Sequence, residues 1–296
     1  MYSGLSPGPI GKGTVDPSSG ACPDHTKSVA KDLAIFKYLR FIASSLVAVT
    51  IASAAMAENA PPPLVVKALS SPESAGSDEN AYVEVYSGLD IASHGWFYGW
   101  VEATDAPFTN TDTSGLRIRL YSEAGQYQYN PETFAGATNR ETWYNNDFLV
   151  GYAFEKEHFS AEVYVGAAVI DSILSSPDPK NPVQGTAVGA IVEAEFEQLY
   201  NHNMLSGEGF YTTAFNTYEA KLKYGRELVK GIFVGPEVTV IGDERFDQWR
   251  IGAHVTATNI HVMNISEMRI VLGAGYEDDS DTGPGAYGTI EVGIEF

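Results

Sequence analysis

From residue 82 to the end of this 296-residue chain, extended segments with one apolar and one polar face follow one another, and no other feature limits the fold so strictly. In GLRIRLYSEAGQYQYN, Leu116, Ile118 and Leu120 alternate with Arg117, Arg119, Tyr121 and Glu123. TAVGAIVEAEFEQ sets Val188, Ala190, Val192 and Ala194 against Glu193, Glu195 and Glu197. The same contrast recurs in TYEAKLKYG, DQWRIGAHVTA, EMRIVLGAGYE and the closing AYGTIEVGIEF. A period of two belongs to strands, and no window of 12 or more residues in this region carries a helical stripe.

Alternation alone also suits a soluble sheet with one wet face. Length separates the two cases. Strands of a β-sandwich are mostly ~5–6 residues, whereas these segments often run 9 to 14, and a tilted strand needs ~9–11 to cross a bilayer. In hydrocarbon every backbone N–H and C=O must pair within the protein, so a sheet there has to close on itself. The expected fold is therefore a closed antiparallel transmembrane β-barrel. Segments fall near 82–90, 96–104, 116–129, 143–155, 159–170, 186–199, 207–213, 217–225, 230–241, 247–258, 268–277 and 286–296, which makes twelve strands, with ten as the fallback. The seventh and eighth read as one unless split at Phe215-Asn216, and the even number expected of a single-chain barrel favours the split. One inner turn, 105–115, is long for its place, and nothing in its sequence says why.

Ahead of this region, Lys37 and Arg40 precede a short apolar run, Phe41 to Ala54, and an A-x-A pattern at Ala55, Met56 and Ala57. That reads as an export signal removed after Ala57, because the run is shorter than the ~20 residues of a spanning helix. The 36 residues before it are long and polar for a signal, which is consistent with a start codon assigned too far upstream. Residues 1–57 are thus an extension with signal peptide, 58–81 a flexible proline-bearing leader, and 82–296 the barrel. Cleavage removes five basic and three acidic residues, leaving 13 basic against 35 acidic, together with Cys22, the sole cysteine. So acidic a chain excludes nucleic acid as a partner, and without cysteine it has neither a disulfide nor a thiolate metal cluster.

Charges expected to line the lumen are Arg117, Arg119, Lys221, Arg250 and Arg269 with Glu193, Glu195, Glu219, Glu237 and Glu291. They permit a polar passage for a sugar or ion, or a plug of mutually paired side chains, and small barrels are commonly filled in the second way. In EDDSDTGPG, Asp278, Asp279 and Asp281 offer a weak cation loop that lacks the bidentate glutamate closing a calcium loop. Trp96, Tyr98, Trp100, Tyr127, Tyr129, Trp143 and Tyr144 read as an aromatic belt at headgroup level, or as a surface for sugar rings. Phe296, an aromatic on the final strand, is the expected assembly signal. The histidines show no metal-ligand spacing and no nucleophile elbow is present, so no catalytic residue and no cofactor is assigned.

The order of YSGLDI, GLRIRLYSEAGQYQYN, DPKNPVQGTAVGA, FVGPEV, WRIGAHVTA and the glycine-rich closing strand resembles the cellulose biosynthesis protein BcsS family, over roughly residues 80 to 296. The resemblance implies an accessory outer-membrane barrel in cellulose or exopolysaccharide production. Its partners would be outer-membrane lipid and cellulose or its synthase and export machinery. Two other functions fit the residues: a narrow outer-membrane solute channel, and a barrel hydrolase acting on lipid or peptide, for which His254 is the natural candidate. N-terminal sequencing of the protein recovered from cell envelopes should begin at Glu58; a mature chain still carrying Lys37 would contradict the export reading.

Overall fold

A computed structural model describes residues 82–131, 138–262 and 265–295, and for 261, 262 and 265–267 it gives strand pairing alone. The expected signal peptide, the leader and Phe296 lie outside the described residues. Twelve strands run in chain order: β1 (Val83–Ala92), β2 (Phe97–Asp105), β3 (Gly115–Tyr129), β4 (Asn139–Lys156), β5 (Phe159–Leu174), β6 (Gly185–Tyr200), β7 (Asn203–Thr212), β8 (Tyr218–Val229), β9 (Ile232–Gly242), β10 (Asp247–Val262), β11 (Ile265–Asp279) and β12 (Gly283–Glu295). Each is antiparallel to its neighbours, and β1 pairs with β12, so the sheet closes. That seam holds nine residue pairs, from Glu84 opposite Glu295 to Ala92 opposite Tyr287.

Closure leaves no strand edge, and each strand's alternation becomes an inside and an outside. Outward positions carry exposed apolar side chains: Phe148, Val150, Tyr152 and Phe154 on β4, Val163, Val165 and Val169 on β5, Trp249, Ile251 and Val255 on β10. Val165 is 61% and Val188 72% exposed, which water would penalise and lipid tails would not.

Several strands exceed the lengths read from alternation. β4 starts at Asn139 rather than 143 and β5 ends at Leu174 rather than 170. The extra residues include Arg140, Glu141 and Asp171, whose polarity hides the period, yet a backbone ladder pairs whatever side chains it carries. The split between β7 and β8 falls at Phe215 and Asn216, both in the left-handed region at φ 52° and 51°. Such a pair makes the primed turn that matches strand twist; asparagine tolerates it, and phenylalanine bears the strain.

The long inner turn, residues 106–114, acquires a physical reason. It folds over the lumen at the end carrying both described termini, and Arg117 holds it there. The buried guanidinium donates to the carbonyls of Thr111 at 2.9 Å and Thr113 at 2.8 Å, with Thr109 Oγ1 and the Asn110 carbonyl slightly farther.

The seam is open to a direct test. Ser87 and Val292 face each other across it, and directly opposed antiparallel residues lie about 4.5–5.5 Å apart at Cα, within disulfide range. With Cys22 confined to the segment expected to be cleaved, oxidation of the folded S87C/V292C variant should give one intramolecular crosslink, seen as a mobility shift reversed by reductant. Absence of the crosslink would mean an open sheet.

Candidate functional site in the barrel lumen

Nine of the ten charges named from the sequence contact side chains on non-neighbouring strands, and the tenth, Glu219, lies 4.0 Å from Lys221 on its own strand. Arg119 on β3 is the hub. Its Nε lies 3.2 Å from Glu102 on β2, and its Nη2 3.2 Å from Glu162 on β5 and 2.5 Å from Glu195 on β6, while Nη1 contacts Glu193. Thr104 Oγ1 accepts from Nε at 2.9 Å, and the guanidinium sits 4.0 Å over the Tyr164 ring. Arg119 is 2% exposed. One guanidinium serving four carboxylates leaves the cluster anionic, and planar bidentate donation is what allows it to serve so many.

A second cluster joins β7, β8 and β12. Lys221 Nζ lies 2.8 Å from Glu208, 3.1 Å from Glu291 and 4.0 Å from Glu219, and Lys223 reaches the other Glu291 oxygen at 3.1 Å. Arg250 on β10 spans the lumen to Asp90 on β1 at 2.6 Å and also approaches Glu277 at 3.4 Å. Arg269 pairs with Glu197 at 2.6 Å. Glu237 has no such cation among the described residues and accepts the Tyr287 hydroxyl at 2.8 Å. Asp90, Glu102, Glu162 and Lys223 were not singled out from the sequence. Only strand parity could have found them, and in β1 and β2 glycines and small residues blur it.

The aromatic residues correct an expectation. Trp96, Tyr98, Tyr127 and Trp143 do not form a headgroup belt; they pack together inside the barrel near the end away from the termini. Trp96 stacks on Phe246 at 5.3 Å and lies 5.3 Å from Trp143 and 5.4 Å from Tyr127. They share the lumen face because strand parity brings positions 98, 127 and 143 inside, and Gly125 makes room: a Cβ there would strike Trp143 and Tyr98. Trp100 also turns inward, stacked on Tyr121 at 6.2 Å. Tyr144, next to Trp143 on the strand, takes the outer face.

Loops seal this end further. Segment 175–184 folds in, with Asn181 donating to Tyr129 Oη at 3.1 Å and Tyr129 donating to Asp178 at 3.3 Å. Arg245 covers the Tyr129 ring at 3.9 Å and forms a bidentate pair with Asp281 at 2.7 and 2.9 Å. Burial raises the Asp281 carboxyl above its ordinary value against the pull of Arg245. Asp281 is thus occupied, and Asp279 accepts from the backbone N–H of Asp281 at 2.8 Å to shape its own turn. Among the described residues no group of three or more His, Cys, Asp or Glu is arranged to hold a metal.

Below the plug remains a cavity of about 300 Å³. Its walls include Glu84, Glu102, Asp112, Glu155, Glu162, Glu195, Glu197, Glu208, Glu291 and Glu295 against Arg119, Lys221, Lys223 and Arg269, an acidic chamber. His254, the residue a hydrolase would need, is 1% exposed with Nδ1 against Thr256 Oγ1 at 2.9 Å and Nε2 against the Tyr224 carbonyl at 3.1 Å. Among the described residues no carboxylate hydrogen-bonds it.

A family model described as "Cellulose biosynthesis protein BcsS" matches residues 84–296. No curated protein matches the chain. Among solved structures it is similar to a KdgM porin in complex with disordered oligogalacturonate, at 8% identity and TM-score 0.39, covering 72% of this chain and 99% of that one. It is also similar to the beta domain of the Bordetella autotransporter BrkA, at 13% identity and TM-score 0.35, covering 73% and 98%. Likenesses this distant add nothing to the fold, which rests on the strand pairing itself.

Replacing the buried Arg119 by methionine leaves four half-buried carboxylates without their common cation. Breaking a buried pair in this way costs on the order of 3–5 kcal/mol, so R119M should unfold at markedly lower denaturant than the unaltered barrel, with R119K between them because ammonium lacks the bidentate fork. Equal midpoints for R119M and the unaltered protein would show that the cluster contributes nothing to stability.

Proposed function

Because the chain belongs to the cellulose biosynthesis protein BcsS family, we propose that it sits in the outer membrane as a closed accessory factor of cellulose production, without chemistry of its own. The observation that carries this reading is the filled lumen. Trp96, Tyr127, Trp143 and Phe246 occupy one end, and Arg119 with its four carboxylates occupies the middle. A glucan strand needs a continuous bore, and a chamber of about 300 Å³ behind such a plug is not one. The apolar exterior takes lipid as its solvent, and the loops and turns present the surface on which synthase or export components would assemble. A hydrolytic role has little support, since both His254 ring nitrogens are engaged by a hydroxyl and a backbone carbonyl.

Two measurements test this. Deleting the gene from a cellulose-producing strain should lower cellulose yield and surface dye binding, and unchanged yield would remove the pathway role. In planar bilayers the folded protein should pass no steady current, whereas W96A/F246A, which empties the plug, should conduct. A steady current through the unaltered protein would instead make it a narrow solute channel.

A further inference from the structure

Most charged side chains in the lumen sit against an opposite charge, but Glu123 and Asp147, on adjacent strands, do not. Tyr121 and Glu123 on β3 face Asp147 and Asn145 on β4, Tyr121 opposite Asp147 and Glu123 opposite Asn145. Tyr121 donates its hydroxyl to Glu123 Oε2 at 2.7 Å, Trp143 its indole N–H to Glu123 Oε1 at 3.3 Å, and Asn145 its amide to Asp147 Oδ2 at 3.1 Å. Among the described residues those are the only side-chain hydrogen bonds that these four make. Asp147 Oδ1 and Asn145 Oδ1 remain without any hydrogen-bond partner, on residues 7% and 2% exposed.

Charge tells the same story as hydrogen bonding. Glu102, Glu162, Glu193 and Glu195 share Arg119, Glu208 and Glu291 have Lys221, Glu197 has Arg269, and Asp90 has Arg250. Glu123 and Asp147 form no ion pair with any Lys or Arg among the described residues. Two carboxylates on adjacent strands of the lumen wall, with orphan acceptor oxygens on Asp147 and Asn145, are costly unless something positive joins them. A water molecule would bring donors but no charge. A cation brings what both observations lack.

The donor set says which cation. Every available atom is oxygen, from two carboxylates and one amide carbonyl, with no imidazole or thiolate nearby, which suits a hard ion and not zinc or copper. A charge of +2 balances the two acids. We propose that Asp147, Asn145 and Glu123 hold a hard divalent cation of the Ca²⁺ type in the lumen, tying β3 to β4 beneath the aromatic plug. Two carboxylates are a sparse set with the shell completed by water, so the affinity belongs to the weak class, Kd about 10⁻⁴–10⁻³ M. Because Glu123 also accepts from Trp143, the ion would hold one wall of the plug in place.

The test uses the full mature barrel folded in detergent, with Tb³⁺ as luminescent probe and Ca²⁺ as competitor. Indole excitation should sensitise Tb³⁺ emission, and Ca²⁺ should displace it. Affinity should fall at least tenfold in D147N and in E123Q, two near-isosteric changes, so that misfolding of one leaves the other to decide. W143F should dim the emission at unchanged affinity, and D278N/D279N in the outer turn should change neither. The proposal is overturned if both D147N and E123Q bind as the unaltered protein does, which would put the ion in the acidic chamber or the outer turn. It is equally overturned if no saturable Ca²⁺ binding is seen up to about 10 mM, well beyond the weak class.

Discussion

The nine residue pairs that join β1 to β12 are the constraint on which everything else depends. Without them a sheet with Val165, Val188 and Ile251 on its outer face would present both an apolar surface and two unpaired backbone edges, a combination neither water nor lipid accommodates. With them, every strand of the wall is paired with a neighbour on both sides and the outer face becomes compatible with hydrocarbon. The inner face is then forced to gather what the strands carry on the other side, which here is a large excess of carboxylates.

How the interior manages that excess explains its shape. Arg119 serves carboxylates from β2, β5 and β6, while Lys221 and Lys223 draw β8 toward β12. These contacts act as spokes between strands that are not neighbours, so the charges that make the lumen polar also fill it. Part of the inner wall is apolar as well: Leu149, Tyr164, Ala168 and Ile191 form a small buried cluster with Phe210 beside the Arg119 hub. Above them the aromatic residues close the section, and Arg245 with Asp281 fastens the loops over it. The proposed accessory role rests on an interior occupied largely by its own contacts, and the proposed cation would add a positive charge at Asp147 and Glu123, where no Lys or Arg among the described residues supplies one.

Strand number and pairing order were legible in the sequence, because a period of two is a local property and closure follows from the requirement to pair every backbone group in lipid. Even the Phe215-Asn216 break could be placed by counting. Boundaries were less legible where Asn139 to Thr142 and Asp171 to Leu174 continue the ladder with mixed polarity, since alternation reports burial and not pairing.

What the sequence could not decide is who meets whom across the lumen. Arg119 and Glu195 are 76 residues apart, Asp90 and Arg250 160, and their encounter depends on strand tilt and register around the closed wall. The same holds for the aromatic side chains: residues at strand ends read equally as belt or plug, and only the parity of positions 98, 127 and 143 in the assembled barrel, with the space left at Gly125, turned them inward. Local alternation thus determined the wall, and tertiary closure determined the contents, because side-chain direction is set by one strand whereas side-chain partnership requires all twelve.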